Sequence, residues 1–130
     1  MTERFMTIRE MCDTFDVTPR TLRFYESKEL LSPVREGQKR LFTRRDSARL
    51  KLILRGKRYG FSLEEIRQLL DLYGDGPQRR VQLEQTREIA RRRLDELKAE
   101  RDTLSAAISD LESELGHVEQ TLADCESSAA

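Results

Sequence analysis

Arg20, Arg23 and Tyr25 lie within six residues of one another in "TPRTLRFYESKELL", and Lys39, Arg40 and Lys57 follow within the next 32 positions. Guanidinium groups and a phenol at such spacing suit hydrogen bonding to base edges and phosphates. They do not suit bond-breaking chemistry. The one histidine, His117, has no carboxylate or cysteine cluster around it, and no glycine loop that could cradle phosphate accompanies it. The two cysteines, Cys12 and Cys125, are far apart and follow no metal or redox spacing, so both are read as free thiols. The expectation is a protein that is not an enzyme, takes no cofactor and carries no metal.

Charge is divided along the chain. Residues 1–73 hold 16 Lys and Arg against 11 Asp and Glu, whereas residues 74–130 hold 8 against 13, which hides behind a net charge of zero. Residues 34–58 sharpen the imbalance: ten basic side chains face only Glu36 and Asp46. Such a patch is sized for a polyanion. With 37% hydrophobic and 37% charged residues in 130, the chain can build one modest core and something elongated. No apolar run would span a bilayer, and the charged start MTERFMTIRE does not read as a signal peptide, so a cytoplasmic protein without membrane contact is expected.

The elements that would position these side chains announce themselves by their caps. Thr7 with Glu10, Thr43 with Asp46 and Ser62 with Glu65 each pair a capping oxygen with an acid three positions on, ahead of an amphipathic run. Thr18-Pro19 opens a fourth helix, with proline where its missing N–H costs nothing. Helix one presents Ile8, Met11, Cys12 and Phe15 on one face. Helix two follows after the Asp16-Val17 turn, placing Leu22 and Phe24 toward helix one and Arg20, Thr21, Arg23 and Tyr25 on its outer and flanking faces. Leu30-Leu31-Ser32-Pro33 ends it, and Val34 to Phe42 crosses a Gly37 turn as a hairpin with Lys39 and Arg40 beside its tip. Two tightly joined helices followed by such a hairpin form a winged helix-turn-helix: helix two enters the major groove and the wing tracks phosphates. The candidate DNA contacts are Thr18, Arg20, Thr21, Arg23, Tyr25, Lys39, Arg40 and Lys57.

At "TPRTLRFYESKELLSP", the wing end "KRLF" and "RGKRYGFSLEEIRQLLDLY" the chain resembles the MerR-type winged-helix transcription regulators, over about the first 73 residues. The resemblance implies DNA contacts at Arg23, Tyr25, Arg40 and Lys57. It implies a homodimer on an inverted-repeat promoter, which is bent and untwisted so that RNA polymerase can use an overlong spacer. Gln38 and Lys39 stand where the family commonly has Gly-Tyr, and Phe42 where tyrosine is usual. Metal- and redox-sensing members carry cysteines near the start and beyond the end of the dimer helix, where this chain reads GDGPQRRVQLEQ and LADCESSAA. The first half looks most like short, cysteine-poor members that control branched-chain amino-acid or fatty-acid breakdown genes. Simple promoter occlusion, or a coiled-coil adaptor with a basic head, are the alternatives. The residues identify no small-molecule effector.

Beyond the helix-breaking segment 74–79 the sequence settles into heptads. The a/d seam runs through Leu83, Ala90, Leu94, Leu97, Leu104, Ile108, Leu111, Leu115, Val118 and Leu122, with Arg87 and Arg101 also at core positions. A parallel pair would set Arg93 against Lys98, Glu114 against Glu119, and Arg87 and Arg101 against their own copies. An antiparallel pair places Leu94 on Leu111, Leu97 on Ile108 and Leu83 on Leu122, with Arg91 beside Glu112 and Arg93 beside Glu114. The expected organisation is therefore mainly α: a DNA-binding head over 1–73 with four helices and a hairpin wing, a hinge at 74–79, an antiparallel coiled-coil dimerisation helix over 80–125, and a disordered tail at 126–130.

Overall fold

The computed structural model describes residues 4–74 and 76–129. Five helices and three short strands appear in the order β1 (Met6–Thr7), α1 (Ile8–Phe15), α2 (Pro19–Ser27), β2 (Val34–Glu36), β3 (Lys39–Phe42), α3 (Arg44–Tyr59), α4 (Leu63–Asp71) and α5 (Arg79–Ala129). Residues up to Ile89 form one compact unit and those from Ala90 a second.

All three capping boxes close. Thr7 Oγ1 accepts from Glu10 N at 3.1 Å while Thr7 N donates to Glu10 Oε1 at 3.0 Å, and Thr43/Asp46 and Ser62/Glu65 repeat the exchange. Each cap satisfies donors that helix geometry orphans, and its loss costs about 0.5–2 kcal/mol. Thr18 caps α2, accepting from Thr21 N, with Pro19 in the first turn. Asp16 takes the left-handed conformation at φ 54° and turns the chain from α1 into α2.

Helix α2 ends at Ser27, earlier than the Leu30–Pro33 segment predicts. Glu29 turns left-handed at φ 61°, and the loop is gathered by basic and acidic side chains from later in the chain. Arg49 Nε donates to Leu30 O at 2.8 Å, Arg67 Nη2 donates to Lys28 O, and Asp46 Oδ1 accepts from Ser32 N at 2.9 Å. These bonds fold Leu30 and Leu31 into the core beside Met11, Leu22, Phe42, Leu50 and Ile53. Asp46, only 2% exposed, both caps α3 and pins this loop, so its carboxylate is fully engaged where water is scarce.

The wing forms as expected, with Gly37 at φ 64° in the turn and Arg35 opposite Arg40 across the β2–β3 pair. A third strand is new: Met6 and Thr7 pair antiparallel with Phe42 and Leu41, giving the sheet order β1-β3-β2. Helices α3 and α4 pack at Gly56, where an added Cβ would lie 2.9 Å from Ile66 Cγ1.

Helix α5 runs through 51 residues without one buried side chain. It includes residues 126–129, which corrects the disordered tail expected there: nothing in "ESSA" breaks a helix, and the ladder runs on from the preceding turns. Asp75 of the hinge and Ala130 of the tail lie outside the described residues, as do residues 1–3.

Candidate nucleic-acid interface

Helix α2 is short enough for its phase to decide which side chains face outward. Leu22 and Tyr25 are buried, while Arg20, Arg23, Phe24 and Ser27 share an exposed face at positions i, i+3, i+4 and i+7. Phe24 and Tyr25 therefore exchange the places expected of them. Tyr25 is 2% exposed in the core and Phe24 is 43% exposed, its ring 5.7 Å from Lys28 Nζ. The physical reason is the folded-back loop. Leu30 N donates to Tyr25 O at 2.9 Å, so the Leu30-Leu31 pair covers the Tyr25 side of the helix and leaves the Phe24 side open. Burial also pushes the Tyr25 hydroxyl pKa upward, keeping it a neutral phenol. Thr18 and Thr21 stand at the start of the same helix, their hydroxyls 2.9 Å apart.

The ten basic residues of positions 34–58 do different work. Arg35 and Arg40 are tied to Glu26 of α2: Arg40 Nε donates to Oε1 at 2.6 Å and Arg35 Nε to Oε2 at 3.3 Å. Arg49 supports the α2–β2 loop, and desolvation lowers its pKa. Lys39 is exposed beside the wing turn. Along α3, Arg44, Lys51, Arg55 and Arg58 recur at i, i+7, i+11 and i+14, all exposed on the face opposite Asp46, Leu50, Ile53 and Gly56. That basic stripe was hidden in the sequence because the count of charges did not separate faces; the heptad-like spacing is the signal that reveals it. Lys57 is exposed in the last turn of α3, roughly 140° around the helix from Arg44 at 3.6 residues per turn.

The expected sites thus divide. Arg20 and Arg23 share the open face of α2, with Thr18 and Thr21 at its cap. Lys39 and Arg40 stand on one wing strand, and Lys57 closes α3. Tyr25 is withdrawn into the core. Cys12 is half-buried against the same core, where burial, helped by Asp13 and opposed by Arg23, pushes its thiol pKa up, so it stays a thiol near neutrality.

A short helix presenting two arginines, preceded by a turn and a capped helix and followed by a hairpin, is the architecture of a winged helix-turn-helix. Residues 6–72 match the model described as MerR HTH family regulatory protein, and residues 47–113 the model described as MerR, DNA binding. The chain belongs to the MerR family. It is 39% identical over 94 residues to the HTH-type transcriptional regulator ZntR of Escherichia coli (strain K12), a match that covers 71% of this chain and 65% of ZntR. The chain therefore spans just under two thirds of the length of that relative. Among solved structures, a MerR-family transcriptional regulator from Bacillus cereus superposes with a TM-score of 0.67 at 29% identity, covering 84% of this chain and 78% of that one. HiNmlR, a MerR family regulator lacking the sensor domain and solved bound to promoter DNA, superposes with a TM-score of 0.55 at 26% identity, covering 81% and 88%.

The long helix carries the second set of expected residues. Leu83, Ala90, Leu94, Leu97, Leu104, Ile108, Leu111, Leu115, Val118 and Leu122 are all exposed on α5 of the single chain. Arg93, expected to meet Glu114 of a second copy, here donates to Glu96 at 3.1 Å and Glu100 at 3.3 Å on its own helix. No helix of the described residues is long and apolar enough to cross a membrane, and no group of three His, Cys, Asp or Glu among them could hold a metal ion.

Proposed function

We propose that the protein is a cytoplasmic, sequence-specific DNA-binding transcriptional regulator that acts as a homodimer on an inverted-repeat promoter site and bends and untwists it for RNA polymerase. The observation that carries the reading is the exposed Arg20–Arg23 face of α2 with Lys39 on the adjoining wing, in a chain whose family includes a member solved on promoter DNA. Arg23 is the base reader, since a guanidinium can bond bidentately to a guanine edge. Arg20, Thr18 and Thr21 stand at the helix start, where backbone N–H groups also favour phosphate. Lys39, Arg40 and Lys57 grip the backbone. Tyr25 serves from the core, by holding α2 at the angle the arginines need.

The dimer reading rests on α5, a 51-residue helix with an unburied leucine seam. Water contact along that seam is removed most simply by a second copy. The antiparallel register pairs leucines with leucines and arginines with glutamates. The likeness of its first half to short, cysteine-poor family members suggests genes of branched-chain amino-acid or fatty-acid breakdown as its targets.

Selection of duplexes from a random pool tests both parts. The expected product is an inverted repeat retarded at moderate salt, with affinity falling linearly in log–log against salt. Replacing Leu97 and Ile108 with Glu should yield monomers on sedimentation and abolish binding to the two-half-site duplex. A full dimer from that double variant would reject the α5 interface. Selected duplexes without two-fold symmetry would reject the paired-head reading, and absent duplex binding would favour a coiled-coil adaptor.

A further inference from the structure

The Glu26 carboxylate touches both strands of the wing. Arg35 and Arg40 are direct partners in the β2–β3 register, so their side chains leave the same face of the hairpin, and each gives its Nε–H to a different oxygen of Glu26. The Arg40 arm is short, 2.6 Å, and both its side chains are only about a fifth exposed, at 21% and 20%. The Arg35 arm is longer, 3.3 Å, and half exposed on the arginine side. Glu26 sits in the last turn of α2, three residues beyond Arg23.

We infer that Glu26 is a positioning residue that ties the wing to α2 and balances the charge of two wing arginines, so that the grip on phosphate stays subordinate to the reading of bases. The inference rests on the duplex-binding reading above. Bonding through Nε leaves the terminal nitrogens of each guanidinium free in principle to donate elsewhere, so the carboxylate fixes where each fork points without consuming it. Around this cluster two positive charges meet one negative. Without the carboxylate, two long side chains would become mobile cations able to settle on any phosphate, and the angle between wing and α2 would lose its tie. Phosphate contacts carry no sequence information, so the freed arginines raise affinity for unrelated duplexes, while on the selected duplex that gain is offset by the lost alignment of α2 on the bases.

The test is Glu26→Gln, which keeps the shape and removes the charge. Affinity is measured across salt for a duplex selected by the wild-type protein and for an unrelated duplex of equal length. The unrelated duplex should bind more tightly, and its salt slope should steepen by about 0.9 per head, one phosphate's worth. The ratio between the two affinities should fall about tenfold, the size of one misread base pair. Parallel loss of both affinities at unchanged slope would show that Glu26 only supports the fold and overturn the inference, as would no change. Wild-type protein that binds neither duplex would instead defeat the DNA-binding reading itself. One measurement needs no variant: in wild-type protein the Arg40 Nε–H should exchange slowly with water, both free and on the selected duplex. Fast exchange in either state overturns the inference even if Glu26→Gln fails to fold.

Discussion

Arg23 and Tyr25 stand two positions apart on α2, which puts them on opposite sides of the helix, and their substitutions should fail in different ways. Arg23→Ala is expected to cost about 1–3 kcal/mol of binding and relax preference at one position per half-site, whereas Lys39→Ala should weaken all duplexes evenly. Binding curves on a panel of single-base variants of the selected duplex separate the two. Tyr25→Ala should cost the head about 3–5 kcal/mol in denaturant unfolding, as emptied aromatic sites do. Phe24→Ala, on the open face, should cost little stability. A more destabilising Phe24→Ala would mean that Phe24, and not Tyr25, faces the core. That phase was not legible in the sequence because Phe24 and Tyr25 are adjacent aromatics, and either could have joined Leu22. The choice is made by Leu30 and Leu31, which reach Tyr25 only after Arg49, Arg67 and Asp46 have folded the loop back. Arginines that brace a loop from 19 and 39 residues away leave no local signal, which is why Arg49 looked like one more member of the basic patch.

Elements whose determinants are local were readable in advance. Capping boxes span four residues and the Gly37 turn fewer, so all three boxed helices and the wing appear where the residues place them. Strand β1, two residues long, has no pattern of its own and exists because β3 offers an edge beside the Thr7 cap. The α3–α4 contact likewise depends on Gly56, an unremarkable glycine in the sequence. Gly56→Ala would press its Cβ to 2.9 Å from Ile66 Cγ1, and Ile66 is itself buried. The expected overpacking, about 1–3 kcal/mol, exceeds the roughly 1 kcal/mol that alanine gains over glycine in a helix. Gly116 in α5 has nothing within 4 Å of the same construction, so Gly116→Ala should stabilise. Thermal melts that move in opposite directions for the two variants would bear this out; a stabilised Gly56→Ala would mean that α4 can shift. The α3 stripe makes a separate prediction. Neutralising Lys51, Arg55 and Arg58 together to Gln should reduce the log–log salt slope by about 2.7 per head if all three approach phosphate, at about 0.9 for each contact. An unchanged slope would place that face away from the duplex.

At the scale of the whole molecule, the proposal joins two heads by a two-fold axis, and symmetry then dictates what DNA can be bound. A closed two-fold dimer presents two identical α2 helices in opposite senses, so its site must be an inverted repeat whose spacing matches the heads. On this proposal the wings would grip flanking phosphates while the α2 helices hold the grooves. A mismatch between head spacing and groove spacing would, on the same proposal, be met by bending the DNA. Smoothly bending a site of this size costs roughly 1–6 kcal/mol, to be offset by the contacts the bend allows. A ligand or partner with unequal affinity for bent and relaxed complexes would then shift promoter geometry while leaving occupancy nearly constant. Bend angle and transcription are therefore to be measured together, on the native promoter and on a version whose spacer is shortened to ordinary length. The expected result is a bent, untwisted native site whose transcription depends on the protein, and a shortened site at which that dependence is lost or reversed. DNA left straight in every state, or regulation that survives shortening unchanged, would replace deformation with simple occlusion of the promoter.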